Sequence, residues 1–373
     1  MSVPARPIRH WLPPWLGGPP RSCLRPARAE ESWQRTWGTI FTLRPVIIGS
    51  WPSIGFPLGI ASPLGSWLHD MRIEFLMMPA WAWELPEVSG DILTNVAEHR
   101  RHHPRHRFSF LCNTPAQEPP FAAAGFPVTT MNANMFIDEH IFRPLPDTQP
   151  VFTALYNARL SADKRIDLAA GIERACFVYF YADEISVSQF HAEHARLSAL
   201  MPSATFLNRL TPQGCEYLGA GAINRALNRS RVGLCLSAVE GQMRASMEYM
   251  LAGLPIVSTP SIGGRDYFFD PDYCIISPAD PRSIAEAVAA LIARNIPRDY
   301  VRQQTLAKVE RERARFIAFM EERIGRGGAS GFAARFEELR RSRQIKPWLN
   351  DVRDFAERLD AAVIKARRSG ASL

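Results

Sequence analysis

Glu240 and Glu248 stand eight positions apart in the stretch LCLSAVEGQMRASMEYMLAGLPIVSTPSIGG, residues 234–264. The run VGLCLSA before Glu240 has the apolar density of a buried strand, and MRASMEYMLA after it has helical spacing. Glu240 therefore falls on a strand-to-helix rim, where open parallel sheets bind their ligands. A helix starting near Met243 would offer leading N–H groups and a dipole that favour a phosphate. Glu248 lies about one and a half turns further on, and helical side chains lean toward the N-terminus, so its carboxylate reaches back to the same place. Two acceptor-only carboxylates beside a phosphate site suit a ligand rich in hydroxyls, such as a sugar or ribose. The bland alternative makes Glu240 a helix-terminal charge and Glu248 part of a solvated face. The flanks count against it: Gly253 would end the helix, Pro255 would open the next strand, and Gly263–Gly264 would let the backbone approach a ligand.

The elements that must hold these residues are legible on both sides. After Pro144 the chain alternates cleanly. VFTALYNARL reads as a strand, KRIDLAAGIERA as a helix, CFVYFYA as a strand, FHAEHARLSAL as a helix and ATFLN as a strand. CEYLGAGAINRALNRS reads as one or two helices, and PIVST and YCIIS as strands after the two-glutamate stretch. PRSIAEAVAALIARN reads as a helix with Asp280 as its N-cap. Apolar strands alternating with amphipathic helices imply a parallel sheet covered on both faces. Upstream, RPVIIGSW, MRIEFLMM and RFSFLCN are strand candidates and GDILTNVAEHR a helix, a sparser α/β pattern. The expected organisation is a Pro/Arg/Trp-rich leader over 1–36, a shortened N-terminal α/β domain over 37–145 and a second α/β domain over 146–296. A charged helical tail over 297–373 completes it, with the linker between the domains at 143–150.

The motif E-x7-E, then AGLPIVST, then GG resembles the donor-binding half of retaining, group 1 glycosyltransferases of the GT-B architecture, which is built from two Rossmann-like domains. The resemblance implies Glu240 at the donor sugar, Glu248 on the nucleotide's ribose, and the backbone around Met243, Arg244 and Ala245 on the diphosphate. YNARLSADKR resembles the family's strand-end motif, which makes Arg159 and Lys164 the cationic clamp on that diphosphate. Each charge-assisted contact of that kind is worth roughly 1.5–3 kcal/mol. NANMFIDEHIFRP resembles the motif that closes the acceptor-side domain, here Asn134, Asp138, Phe142 and Pro144. The likeness spans roughly residues 125–295 and departs from the family in three ways. Arg165 stands where the family often has glycine, the interior GQMRASM lacks the usual Gly-Phe-Gly and inserts Arg244, and the N-terminal half is short, its usual donor-contacting histidine not placed by the sequence.

Composition fits this picture and narrows it. The chain has 373 residues, 46% of them hydrophobic and 22% charged, room for two cores. A net charge of +7 and a pI near 9.3 favour an anionic partner. The six cysteines are scattered without a C-x-x-C, and Cys112, Cys235 and Cys274 read as buried free thiols, the usage of a reducing cytoplasm. The leader carries five arginines before the first acid, Glu30, and reads as a flexible segment whose Trp11 and Trp15 could touch an anionic membrane face. The expected partners are a nucleotide-diphosphate sugar and a carbohydrate or lipid-linked acceptor, with no cofactor, no metal and no nucleic acid. The expected place is the cytoplasm, with scope for peripheral contact at the inner membrane face, and the expected pathway is surface polysaccharide assembly.

Other constellations are weaker. EHRRHHPRHR places His99, His102 and His103 near one helix face, but no clustered cysteines or acids complete a metal site, and the run reads as a solvated basic helix end. No G-x-G-x-x-G opens a helix and no G-x-S-x-G occurs. Two further readings stand beside the transferase: a catalytically silent GT-B scaffold, motivated by the shortened N-terminal half, and a sugar-nucleotide epimerase that acts without an acceptor.

Overall fold

The computed structural model describes residues 36–52, 57–182, 185–325, 331–342, 345, 348–349 and 352–369. Apart from Thr36, the leader expected over 1–36, with Trp11, Trp15 and Cys23, lies outside the described residues. The chain divides into two compact units, residues 1–136 with 312–373, and residues 137–311. The break thus falls inside the motif at 132–144, between residues 136 and 137, rather than in the linker at 143–150. The segment read as a tail is shared, its start belonging to the second unit and the rest to the first.

The first unit carries β1 (Thr36–Leu43), β2 (Val46–Trp51), α1 (Ala61–Trp67), β3 (Ile73–Met77), α2 (Pro86–His102), β4 (His106–Cys112), α3 (Glu118–Ala123) and β5 (Val128–Thr130). β2, β3, β4 and β5 pair in parallel, and β1 runs antiparallel to β2. β1 was not foreseen from sequence; its TWGTIFTL mixes glycine and threonine into the apolar run.

The second unit carries β6 (Phe152–Asn157), β7 (Ala175–Val178), α4 (Val187–Leu200), β8 (Thr205–Phe206), the hairpin β9 (Leu210–Thr211) and β10 (Gly214–Cys215), α5 (Ala220–Asn228), β11 (Ser230–Cys235), α6 (Arg244–Leu251), β12 (Ile256–Ser258), β13 (Cys274–Ile276) and α7 (Pro281–Ala293). Its main sheet is wholly parallel, in the order β13-β12-β11-β6-β7-β8. From β6 the chain winds outward through β7 and β8, returns to β11 and winds the other way. The order therefore reverses between β6 and β11, the crevice where doubly wound folds take their ligands. Asp280 caps α7 as expected, its carboxylate accepting from Ser283 N at 2.8 Å.

Helices α8 (Arg298–Ile324), α9 (Phe332–Arg341) and α10 (Val352–Ser369), with the short strand β14 (Trp348–Leu349), complete the chain. β14 pairs antiparallel with β1 and extends the first sheet. Among the described residues no helix is long and apolar enough to cross a membrane.

Two sequence readings are corrected. KRIDLAAGIERA does not form an α-helix but two 3-10 turns, Ala162–Lys164 and Ile166–Ala169. Arg165 between them has φ 47° and ψ 46°, a left-handed geometry that no α-helix can contain. The histidine run is not a solvated helix end either. His99 and His103 are buried, and with His106 on β4 they stack into a group of three imidazoles, with ring centroids 4.7–5.4 Å apart. Only His102 stays at the surface, beside Glu98.

The second core is packed closely enough for one glycine to matter. A Cβ on Gly233, in the middle of β11, would lie 2.4 Å from the Tyr249 ring of α6. Gly233→Val is expected to cost about 3 kcal/mol or more of unfolding free energy, because the ring and strand cannot separate without disturbing the sheet. Urea unfolding of the wild type and variant measures it; a change below about 0.5 kcal/mol, the size of an unstrained surface substitution, would contradict the packing argument.

Candidate functional site

The donor-site residues named from sequence, Arg159, Lys164, Glu240, residues 243–245, Glu248 and the glycine pair, lie in the second unit, on the loops and helix at the C-terminal rim of its sheet. β6 ends at Asn157 and leads into Arg159, Lys164 and Arg165; β11 ends at Cys235 and leads into Glu240. These two loops flank the point of strand reversal. Lys164 Nζ meets Glu240 Oε1 at 2.5 Å, and Ser237 Oγ donates to the same oxygen at 2.6 Å. Lys164 and Glu240 are each 8% exposed, so the pair is screened far less than a surface ion pair. Asp163 completes the cluster, 3.5 Å from Lys164 Nζ and 3.7 Å from Arg159. Burial alone would raise its carboxyl, but Lys164, Ser161 and Arg159 together hold it below the usual carboxylate range.

The helix start is built differently from an ordinary cap. Met243, the N-cap of α6, has φ 44° and ψ 79°, and Arg244 and Ala245 follow as the first helical residues. The first turn's N–H groups have no carbonyl four residues back, so this end is intrinsically electropositive. Glu248 sits in the second turn, where Asn157 Nδ2 donates to its Oε2 at 3.3 Å. Burial pushes the Glu248 carboxyl up to about 7, with Arg244 and Asn157 opposing the rise. Gly253, at φ 81°, ends the helix as expected, with Leu254 N donating to Tyr249 O.

Gly263 and Gly264 do more than clear space. Gly264 N donates to Gly241 O at 2.7 Å, Glu240 N to Ile262 O at 2.9 Å, and Ile262 N to Ala238 O at 2.9 Å. The loops after β11 and β12 are thereby zipped together, and Gly263, at φ 107°, adopts a backbone that only glycine accepts readily.

Several supporting residues escaped the sequence reading. Tyr249 is fully buried, and its hydroxyl accepts from Asn157 N at 2.7 Å, which fixes the residue that in turn holds Glu248. Arg265 is also fully buried; it donates to Ser237 O at 2.7 Å, to Thr259 O, and to Asp266 Oδ1 at 2.7 Å. Tyr156 OH donates to Lys164 O at 3.0 Å from beneath. The signals available were Ser237, three residues before Glu240, and Arg265, next to the glycine pair.

Of the motif at 132–144, Asn134 belongs to the first unit and Asp138, Phe142 and Pro144 to the second. Phe142 is buried in the second core, and Arg302 of α8 ties its carbonyl (2.7 Å) to that of Leu251 (2.6 Å) at the end of α6. Among the described residues no group of three or more His, Cys, Asp or Glu side chains is arranged to hold a metal ion.

Residues 196–294 match the family model described as group 1 glycosyl transferases. The matched span holds Glu240, residues 243–245, Glu248 and the glycine pair, and excludes Arg159 and Lys164. No curated protein sequence matches the chain. Among solved structures, HepE from Anabaena in complex with UDP is 16% identical with a TM-score of 0.48, over 68% of this chain and 71% of that one. Sucrose-phosphate synthase from Thermosynechococcus elongatus is 13% identical with a TM-score of 0.48, over 72% and 69% of the two chains. The pneumococcal O-GlcNAc transferase GtfA in complex with UDP and GlcNAc is 15% identical with a TM-score of 0.45, over 71% and 60%.

Proposed function

We propose that this chain is a nucleotide-sugar-dependent glycosyltransferase of the GT-B, group 1 kind, acting with retention at the anomeric carbon. One observation carries the reading: the buried Lys164–Glu240 ion pair stands at the strand-reversal point of a wholly parallel sheet, just before the helix that carries Glu248. In the proposed reaction the bond from C1 of the sugar to the diphosphate breaks. A bond from an acceptor hydroxyl oxygen to C1 forms on the same face, and the hydroxyl proton leaves with the diphosphate. Lys164, Arg159 and the leading N–H groups of α6 stabilise the charge that grows on the leaving diphosphate. Glu240 takes hydroxyls of the donor sugar, and Glu248 takes those of the ribose. Gly263 and Gly264 hold the loop that closes the donor site.

The acceptor, a carbohydrate or lipid-linked carbohydrate, is assigned to the first unit. There Glu84 is held by Thr114 Oγ1 at 2.7 Å and Gln117 Nε2 at 2.9 Å beyond the ends of β3 and β4. The net charge of +7 suits peripheral contact with an anionic membrane face, and cell-surface polysaccharide assembly is the proposed setting.

With cationic side chains serving the diphosphate, the reaction is expected to run without a metal. Turnover of UDP-, GDP-, ADP- and CDP-sugars is to be followed with and without a chelator. Transfer with one donor, unchanged by chelator, supports the account; transfer that vanishes with chelator and returns with magnesium would contradict its electrostatics. Donor consumed with no acceptor present would turn the reading toward an epimerase.

Glu248 adds a pH dependence. Ribose hydroxyls donate to the ionised carboxylate, so binding favours loss of its proton. Nucleotide affinity is therefore expected to weaken by up to about tenfold for each pH unit below about 7, and to level off above it. Calorimetric titration between pH 5.5 and 8 measures this, and an affinity flat across that range would refute the ribose role of Glu248.

A further inference from the structure

Arg165 occupies a backbone position that glycine would fill without strain, at φ 47° and ψ 46°. Its side chain spans the rim of the sheet. Nε donates to Leu236 O at 2.6 Å, just past β11, and Nη2 donates to Thr259 Oγ1 at 2.6 Å, just past β12. Thr259 Oγ1 in turn donates to Leu236 O at 3.1 Å. A single guanidinium thus joins the turn after β6 to the ends of the two neighbouring strands.

The turn it anchors is the one that carries Lys164. Lys164 N donates to Ser161 O at 3.0 Å and Arg165 N to Ala162 O at 3.1 Å, so backbone and side chain of Arg165 fix the same short loop. The next residue past Leu236 is Ser237, which holds Glu240. Arg165 therefore touches both supports of the Lys164–Glu240 pair while making neither end of it. A second guanidinium, that of Arg265, grips Ser237 O and Thr259 O from within the core. Two like charges close together at one sheet edge are unfavourable in themselves, which argues that the placement of both is used.

We propose that Arg165 is a positioning residue for sugar transfer, setting Lys164 against Glu240 by pinning the β6 turn to the ends of β11 and β12. The inference rests on the transferase reading above. Arg165 holds the geometry in which the cation meets the leaving diphosphate, whereas the nucleotide is held chiefly by Glu248 and the start of α6. Its loss should therefore fall on turnover more than on nucleotide binding.

The test compares Arg165→Gly and Arg165→Lys with the wild type in the full chain. Glycine removes the fork but relieves the left-handed backbone, so its unfolding temperature should stay close to wild type. Its kcat is expected to fall by about 10- to 100-fold, the range a misplaced catalytic group produces. UDP, GDP, ADP or CDP, whichever the wild type binds, should bind the glycine variant within about threefold of the wild type, a smaller loss than that of kcat, since Glu248 and the start of α6, which hold it chiefly, are untouched. Millimolar methylguanidine should restore part of the lost turnover in the glycine variant and none in the wild type. Lysine keeps the charge without the fork and should remain impaired. The proposal is overturned if kcat of the glycine variant stays within twofold of wild type. It is also overturned if kcat, nucleotide affinity and unfolding temperature fall together without rescue, the signature of a merely structural role. If the wild type binds no nucleotide, the transferase reading itself fails and this inference with it; if the wild type binds and turns over but the variant does likewise, only the inference fails.

Discussion

Lys164→Met is expected to lower sugar transfer by at least about a hundredfold, the loss seen when one preorganised charge-stabilising donor is removed from an active site. The same substitution should destabilise the protein by about 3 kcal/mol, because it leaves Glu240 buried and without its cation. These two effects have separate causes, and a double variant separates them. Lys164→Met with Glu240→Gln removes both charges; Gln still offers an oxygen to Ser237, whose hydroxyl now donates to Glu240 at 2.6 Å. Stability should then return most of the way, since replacing both members of a buried pair is often neutral. Transfer should not return. Denaturant unfolding and donor turnover on the three variants measure both quantities. Recovery of turnover in the double variant would show that the pair is structural and that the diphosphate is served elsewhere.

Acid should unfold the first unit before the second. His106 Nε2 lies 3.0 Å from Leu68 O, and His99 Nε2 lies 2.8 Å from His106 Nδ1. The carbonyl can only accept, so His106 donates to it and accepts from His99. That leaves the His99 Nδ1 lone pair buried without a partner, as is His103 Nδ1. The titratable groups acting on the trio are other imidazoles, His69 and His102, while Gly65 of α1, Phe75 of β3 and Phe108 of β4 supply its uncharged walls. Burial, then the neighbouring imidazoles, pushes His99 down to about 2. Burial pushes His106 to about 4, opposed in part by its bond to Leu68.

The sign follows from linkage. Below the ordinary imidazole value of 6.5 the unfolded chain takes up protons that the folded unit refuses, so stability is full above 6.5 and is lost as pH falls. From pH 7.5 to pH 5, His99 and His106 together should remove about 3–4 kcal/mol. His106 stops contributing near 4, where it protonates in the folded state. All nine tryptophans lie in residues 1–136 and 312–373, so tryptophan fluorescence follows this unit alone. Urea titrations by fluorescence between pH 5 and 8 should give a slope of about two protons in the wild type. His99→Gln, which keeps a donor for His106, should lose about one of them. An unchanged slope in that variant would place the acid sensitivity elsewhere.

How much of this was legible depended on whether the partners were local. The alternation around VGLCLSA, MRASMEYMLA and PIVST could be read because those strands are buried on both faces and Gly253 marks the end of the helix. Glu240 and Glu248 could be placed for the same reason, since strand end and helix start are adjacent in sequence. Lys164 could be placed at a strand end, but its 2.5 Å contact with Glu240 depends on β6 and β11 being neighbours, which no local pattern states. The turns at 162–169 were misread as helix because apolar spacing there is helical and the left-handed Arg165 is not a residue that announces a break. Histidine is ambivalent between core and surface, so His99 and His103 looked solvated until β4 brought His106 against them. Arg265 was invisible because two of its partners are backbone carbonyls, one of them 28 residues earlier.

The central claim, that the rim between β6 and β11 is a nucleotide-sugar site, is tested most directly by thermal unfolding of the full chain and of Glu248→Ala against UDP, GDP, ADP and CDP. A nucleotide present at about a hundred times its dissociation constant adds roughly 2.7 kcal/mol. For units of this size that is a rise of roughly 5–10 °C. The account predicts such a rise with one nucleotide in the wild type and none in Glu248→Ala, which would also name the base of the donor. Flat curves with all four nucleotides would contradict it and favour a protein that keeps the fold as a scaffold.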